Sequence, residues 1–196
     1  DTEMMIGLME KAGYEMTEDL NEANVIIINT CTFIDAAKDE SVQTLLQATE
    51  YKKNGKCEKL VAAGCLSQQF QEGLAREILD VLLGTESWSK ILDAVNESYR
   101  TGKQVNCFDS APCEHEELIP RQLVTPKYTA YVKIAEGCNN GCTFCYIPYV
   151  RGKARSRPIP SVVHEVKRLA AQGVKEFNLI AQDLSYYGRD LGDGTN

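Results

Sequence analysis

The chain has 196 residues, 43% of them hydrophobic, which is enough for one full domain and part of another. Its net charge of −7 excludes a protein that wraps nucleic acid over its whole surface, because such binding rests on Lys and Arg neutralising phosphates, although a local basic patch stays open. No apolar run approaches the roughly 20 residues that span a bilayer, and the opening Asp1-Thr2-Glu3 carries no secretion-signal pattern.

Met4, Met5, Leu8 and Met9 recur near helical period over 3–13, with Gly13 as a stop. Val25-Ile26-Ile27-Ile28 is a β-branched run of the kind that builds a buried parallel strand, and it ends in Asn29-Thr30-Cys31. A helix is predicted over 35–52, with Ala36, Val42, Leu45 and Leu46 among its apolar positions. Lys59-Leu60-Val61-Ala62-Ala63 predicts a second strand and runs into Gly64-Cys65-Leu66. An amphipathic segment covers 68–78, Val81-Leu82-Leu83-Gly84 is a third short strand, and 86–99 reads as a helix around Trp88, Ile91, Leu92 and Val95.

This alternation predicts a parallel sheet covered on both faces. Sites in open sheets of that kind form at the carboxyl ends of the strands. Cys31 and Cys65 each fall just past such an end, which suits them to share a metal centre. Two buried cysteines serving as small apolar residues is an equally good reading of their position.

Residues 101–127 read as a linker, with Pro112, Pro120, Pro126, an acidic run of Glu114, Glu116 and Glu117, and no clear period. Domains are therefore expected at 1–100 and 128–196. Cys113 and His115 match no common zinc spacing, and Cys57, Cys107 and Cys113 read as incidental. Eight cysteines without a signal peptide still mark the chain as a cytoplasmic protein with metal or catalytic thiols.

Strand 131–135 leads through Gly137 into Cys138-Asn139-Asn140-Gly141-Cys142-Thr143-Phe144-Cys145. Three thiols in eight residues suit a cubane iron–sulfur cluster, and three thiolates rather than four leave one iron open to a small molecule. Structural zinc wants four closed ligands, yet no fourth cysteine follows nearby and the next histidine, His164, lies on a predicted helix. Disulfides rarely form between such thiols in a reducing cytosol. Zinc and redox or structural thiols remain open on spacing alone. Pro160-Ser161 opens a helix carrying Val162, Val163, Val166, Leu169 and Ala170, and Gly173 suits its carboxyl cap. Val174 to Ala181 is the next strand, ending in Gln182-Asp183. This is the pattern of a β/α barrel at its start, with fewer than half the residues a whole barrel needs.

Cys138, Cys142, Phe144 and Cys145 together resemble the signature of radical S-adenosylmethionine enzymes. The run from Tyr146 to Gly152, with Arg155-Ser156-Arg157-Pro158, resembles the methylthiotransferase branch of that superfamily. The resemblance implies an α/β chain: an amino-terminal flavodoxin-like parallel sheet domain followed by the start of a radical SAM β/α barrel of partial TIM type. It implies a [4Fe-4S] cluster on Cys138, Cys142 and Cys145, and S-adenosylmethionine bound at its open iron. Phe144, Tyr146 and Gln182 are candidate cofactor contacts, with ordinary packing as the alternative for the aromatics. Asn29-Thr30-Cys31 and Ala63-Gly64-Cys65 resemble two of the three cluster-binding sites of the family's amino-terminal domain. The third thiol of that family lies just upstream of a segment like Asp1-Thr2-Glu3-Met4-Met5. The chain is therefore expected to be a fragment lacking both ends of an enzyme that holds two [4Fe-4S] clusters.

The chemistry so implied is one-electron cleavage of S-adenosylmethionine to a 5′-deoxyadenosyl radical, with a second S-adenosylmethionine supplying a methyl group. Two branches compete for the substrate. Asn29-Thr30-Cys31-Thr32-Phe33-Ile34-Asp35 and Gln182-Asp183-Leu184-Ser185-Tyr186-Tyr187-Gly188 resemble the branch that modifies an aspartate of small-subunit ribosomal protein twelve. The branch that modifies a tRNA adenosine usually shows Gln-Asn at the later strand. The expected partners are thus a small-subunit ribosomal protein and an electron donor; no membrane is expected, nor nucleic acid as the main substrate. Arg151, Lys153, Arg155 and Arg157 read as an RNA patch, a solvated loop or a site for the cofactor carboxylate. A non-catalytic iron–sulfur or zinc-binding module is the reading from another class.

Overall fold

A computed structural model describes residues 1–70, 78–108, 113 and 116–192. Asp1–Cys113 and Glu114–Asn196 form two compact units.

The first unit runs α1 (Thr2–Lys11), β1 (Val25–Thr30), α2 (Asp35–Asn54), β2 (Lys59–Gly64), α3 (Cys65–Gln69), β3 (Val81–Leu83), a 3-10 turn (Trp88–Lys90), α4 (Ile91–Thr101) and β4 (Val105–Cys107). The four strands are parallel in the order β1-β2-β3-β4. Every residue of β2 is buried, as a central strand covered on both faces requires. Ile26, Leu60, Ala62 and Leu82 share one cluster with Leu45 and Ala48 of α2. Val61, Ala63, Val81 and Leu83 alternate with that set, so they point to the opposite face, and they are equally buried. α1 and α4 pack on each other, and α4 also runs against β2, β3 and β4. The buried residues of α2 are Ser41, Leu45, Ala48 and Thr49. Val42 and Leu46, expected among its apolar positions, are exposed instead, because the helix turns its inward stripe about one residue away from them.

Charge pins the amino end of the sheet. Asp80 pairs with Lys52 and lies 3.7 Å from Lys59 Nζ, while its Oδ2 accepts from the backbone N–H of Leu60 at 2.8 Å. Lys59 Nζ also donates to the carbonyl of Ser98 at 3.0 Å.

The second unit contains a 3-10 turn (Glu116–Leu118), β5 (Thr129–Lys133), β6 (Ala135–Glu136), α5 (Ile147–Val150), β7 (Arg155–Ser156), α6 (Ile159–Ala171), β8 (Glu176–Ile180) and a second 3-10 turn (Leu184–Tyr186). β5 and β8 pair in parallel, with Lys133 opposite Ile180, and α6 lies between them in sequence, which makes one βαβ unit. β6 and β7 form a short antiparallel pair. Ala130, Val132, Ile134, Leu169 and Val174 form the core, with Val162, Val166 and Phe177 against it. Glu165 of α6 is 1% exposed and is gripped by two guanidinium groups: Arg121 Nη1 at 2.8 Å and Arg157 Nη1 at 2.6 Å. Arg121 also donates to the carbonyl of Tyr131 at 2.6 Å, and Arg157 to that of Lys133 at 2.7 Å.

Both ends of the expected linker thus carry structure. Thr101 still belongs to α4, and β4 adds to the sheet through backbone pairing of Cys107 with Leu83. At the other end, Arg121 and Glu117 are bound to α6, the latter through a 2.7 Å hydrogen bond from Ser161 Oγ. Glu114, His115 and most of the expected segment 68–78 lie outside the described residues. Among the described residues no helix is long and apolar enough to cross a membrane.

Candidate metal centres

Two places bring cysteines to the carboxyl edge of a sheet. In the first unit, Thr30 at the end of β1 is the register partner of Gly64 at the end of β2, so Cys31 and Cys65 are the next residues on neighbouring strands. The residues around them explain the local sequence. Thr30 Oγ1 donates to the carbonyl of Ala63 at 2.6 Å and accepts from the N–H of Leu66 at 3.2 Å, tying the two strand ends together. Gly64 has φ +96, and a Cβ there would stand 2.7 Å from both Asn29 Oδ1 and the carbonyl oxygen of Thr30. Only glycine fits this turn. Ser41 Oγ accepts from the N–H of Cys31 at 2.9 Å, and the exposed Cys31 Sγ accepts from the N–H of Phe33 at 3.5 Å.

In the second unit, the cysteine loop leaves β6. Cys138 is buried, Cys145 partly buried and Cys142 exposed. Gly137, with φ +78, lets the chain pass so close to Lys153 that a Cβ would stand 2.3 Å from its carbonyl oxygen. The N–H of Cys138 donates to Gly152 at 3.2 Å, that of Cys145 to the carbonyl of Cys142 at 3.1 Å, and Cys138 Sγ accepts from the N–H of Asn140 at 3.5 Å. The two asparagines brace the loop: Asn139 Oδ1 accepts from the N–H of Ala154 at 3.0 Å, and Asn140 Nδ2 donates to Asp183 Oδ2 at 2.9 Å.

Glu136, one residue before Gly137 and only 7% exposed, gathers the surroundings of this loop. Its Oε1 accepts from Arg151 Nη1 at 2.8 Å, from Gln182 Nε2 at 2.7 Å and from the N–H of Gly137 at 3.3 Å. Its Oε2 lies 3.2 Å from Lys133 Nζ, an ion pair without hydrogen-bond alignment. Burial by itself would push this carboxyl up, but the Lys133 and Arg151 cations outweigh it and hold the group at about 2. Glu136 escaped the motif reading; the only sign was one acidic residue set between Ile134-Ala135 and Gly137-Cys138.

The aromatic and basic candidates part company here. Phe144 is 88% exposed, and Tyr146 stacks on Tyr149 with ring centroids 5.3 Å apart. The run Arg151, Lys153, Arg155 and Arg157 is not a continuous basic surface. Arg151 is spent on Glu136, Arg157 on Glu165, and Arg155 Nη1 on backbone carbonyls, leaving Lys153 exposed. The spacing showed the charges, but their buried carboxylate partners come from distant positions.

Among the described residues no disulfide forms, and no three His, Cys, Asp or Glu side chains gather closely enough to hold a single metal ion. A cubane makes a different demand, because it spreads its protein thiolates over separate irons. The donor set of each place is sulfur alone, the chemistry that suits iron–sulfur clusters. The cleft of about 640 Å³ between β1 and α2 is lined by none of the cysteines.

Comparison with known proteins shows what the two parts of the chain are similar to. Residues 132–192 match the Radical SAM superfamily, and residues 1–84 match the family described as "Uncharacterized protein family UPF0004". The chain thus has one segment similar to UPF0004 and one similar to the Radical SAM superfamily. Its relatives narrow this further. It is 48% identical over its whole length to a ribosomal protein uS12 methylthiotransferase RimO of Syntrophotalea carbinolica, covering 44% of that protein. It is 48% identical, over 97% of its length, to the protein of the same name from Symbiobacterium thermophilum, covering 40% of it, and 45% identical to that from Geobacter sulfurreducens, covering 43%. The chain thus resembles the radical SAM methylthiotransferases, as its motifs implied, and spans about two fifths of the length of these relatives.

Proposed function

We propose that this chain works within a cytoplasmic radical S-adenosylmethionine enzyme that methylthiolates an aspartate of ribosomal protein uS12. The observation that carries this reading is the three-thiol loop at the carboxyl edge of a βαβ unit, in a chain 45–48% identical to uS12 methylthiotransferases. Cys138, Cys142 and Cys145 would hold one [4Fe-4S] cluster, and Cys31 and Cys65 would give two thiolates to a second. When bound, the first cluster and S-adenosylmethionine would supply one-electron reductive cleavage of the sulfonium, the electron coming from an electron donor.

The chain's own residues hold and orient. Gly137 and Gly152 fix Cys138 by a backbone contact, and Asn139 and Asn140 set the path to Cys142. Phe144 and Tyr146 offer aromatic faces beside the loop, suited to stack on adenine. Gln182, on the neighbouring strand end, offers an amide. The Gln182-Asp183 pair and the run from Asn29 to Asp35 favour the ribosomal protein over tRNA as substrate.

The test uses the full-length enzyme, purified and reconstituted without air, with S-adenosylmethionine, reductant and either uS12 or tRNA. We expect deoxyadenosine, and a mass gain of one methylthio group on uS12 alone. Modification of a tRNA adenosine would assign the other branch. A colourless protein carrying zinc would overturn the enzyme reading altogether.

A further inference from the structure

Six ion pairs of the second unit join into one series. Arg121 pairs with Glu165, Glu165 with Arg157, Arg157 Nε with Glu116 Oε2 at 3.7 Å, Glu116 with Lys133 at 3.3 Å, Lys133 with Glu136 at 3.2 Å, and Glu136 with Arg151 at 2.8 Å. The signs alternate from one member to the next, and no side chain among the seven is more than 21% exposed. The last two members bracket the cysteine loop: Glu136 stands just before Gly137 and Cys138, and Arg151 follows α5, on the far side of Cys145. Glu136 also accepts from the N–H of Gly137 at 3.3 Å, at the entry to the loop. Burying charges costs solvation that their mutual attraction often fails to return, so stability alone is a poor reason for such a series. Burial does weaken screening, and a charge then acts over a longer range. An iron–sulfur cluster responds to charge of that kind, because its reduction potential follows the net charge and solvent exposure around it.

Resting on the function proposed above, we propose that Glu116, Lys133, Glu136 and Arg151 set the reduction potential of the cluster on Cys138, Cys142 and Cys145, each through the sign of its charge. The step they govern is the transfer of one electron from the electron donor to the oxidised cluster; the donor is oxidised, the cluster is reduced, and no bond or proton changes place. An anion opposes the electron's arrival and a cation favours it. Glu116 separates charge from contact: it pairs with Lys133 and Arg157 rather than with the loop, and it comes from a distant part of the sequence.

The experiment is a redox titration, followed by electron paramagnetic resonance, of the full-length, air-free, iron-loaded enzyme. The parent carries Cys31→Ala and Cys65→Ala, so that only the cluster of the three-thiol loop is read, and iron content is measured for every variant. At a fixed poise, Glu136→Gln should raise the reduced-to-oxidised ratio about tenfold, and Glu116→Gln should raise it by a smaller factor. Lys133→Met and Arg151→Gln should lower the ratio, the latter again about tenfold. Arg151→Lys keeps the charge and should stay within about twofold of the parent, as should the double variant Glu136→Gln/Arg151→Gln, whose two effects cancel. A merely structural role gives another pattern, because a loosened loop lets in water and moves every variant the same way. Shifts of one sign in all four single variants therefore overturn the proposal. So does a shift in Arg151→Lys as large as in Arg151→Gln, or loss of iron in Glu116→Gln. An unchanged ratio in iron-loaded Glu136→Gln, with deoxyadenosine still formed by the parent, overturns the proposal and leaves the enzyme reading standing. A parent without a reducible cluster overturns both.

Discussion

At the scale of single residues, each candidate cysteine depends on neighbours that no thiol motif includes. Cys142 is the loop's exposed thiol, and Cys142→Ala should abolish deoxyadenosine formation in the full-length enzyme and lower its iron by one cluster, read by iron analysis and chromatography. Gly64→Ala meets a positive φ and two oxygens at 2.7 Å, one of them backbone. It should cost about 1–3 kcal/mol in denaturant unfolding, because the positive φ strains any side chain and the Thr30 carbonyl cannot withdraw without disturbing the β1–β2 register. Glu136 gives a pH dependence. Its carboxyl is held at about 2 in the folded chain, below its ordinary value. The stability it contributes is therefore fully present above the ordinary carboxylate range and is lost as the pH falls toward about 2. In urea unfolding of the metal-free chain, the gap between parent and Glu136→Gln should be widest above about pH 5, at most roughly 3 kcal/mol, and should shrink with acidification.

At the scale of elements, the two units are held by different means. The first is a sheet whose central strand is wholly buried, and its helices α2 and α4 were legible because apolar residues recur at helical period. The inward face of α2 was not legible: Leu45 and Ala48 point in while Val42 and Leu46 do not, a choice set by the sheet beneath. β4 was missed because three residues with a polar centre carry no period; only pairing with β3 makes them a strand. In the second unit, α6 is locked by a buried charge cluster. Glu165→Ala would leave Arg121 and Arg157 facing each other without their anion. It should destabilise this unit by about 3–5 kcal/mol, visible as protease sensitivity confined to residues after 116.

At the scale of the whole molecule, strand–helix alternation predicted the parallel α/β sheet that the first unit shows, and the resemblance carried by the cysteine loop agrees with the match of residues 132–192 to the Radical SAM superfamily. The charge balance settled less than it promised. The chain is acidic, yet its second unit carries a dense basic run, of which Arg151 and Arg157 pair with the buried Glu136 and Glu165, Arg155 turns to backbone carbonyls and Lys153 stays exposed. The prediction at this scale is that uS12 modification shows only the weak salt dependence of a substrate not held through phosphates; a steep loss of turnover with added salt would point to RNA instead.

By itself the amino-acid sequence determined the order of the longer helices and of most of the buried strands, the three-thiol loop and the placing of Cys31 and Cys65 at strand ends. Those features are local, written in period and spacing over a few residues. Only the tertiary structure decided which strands are neighbours, which helix face turns inward and which charges are buried. Register sets Cys31 beside Cys65, and folding brings Arg121, Arg157 and Glu165 together, or Glu136, Arg151 and Gln182. Such meetings join residues far apart in the chain, and a carboxylate shows no mark of its partner until burial removes the water that would otherwise satisfy it.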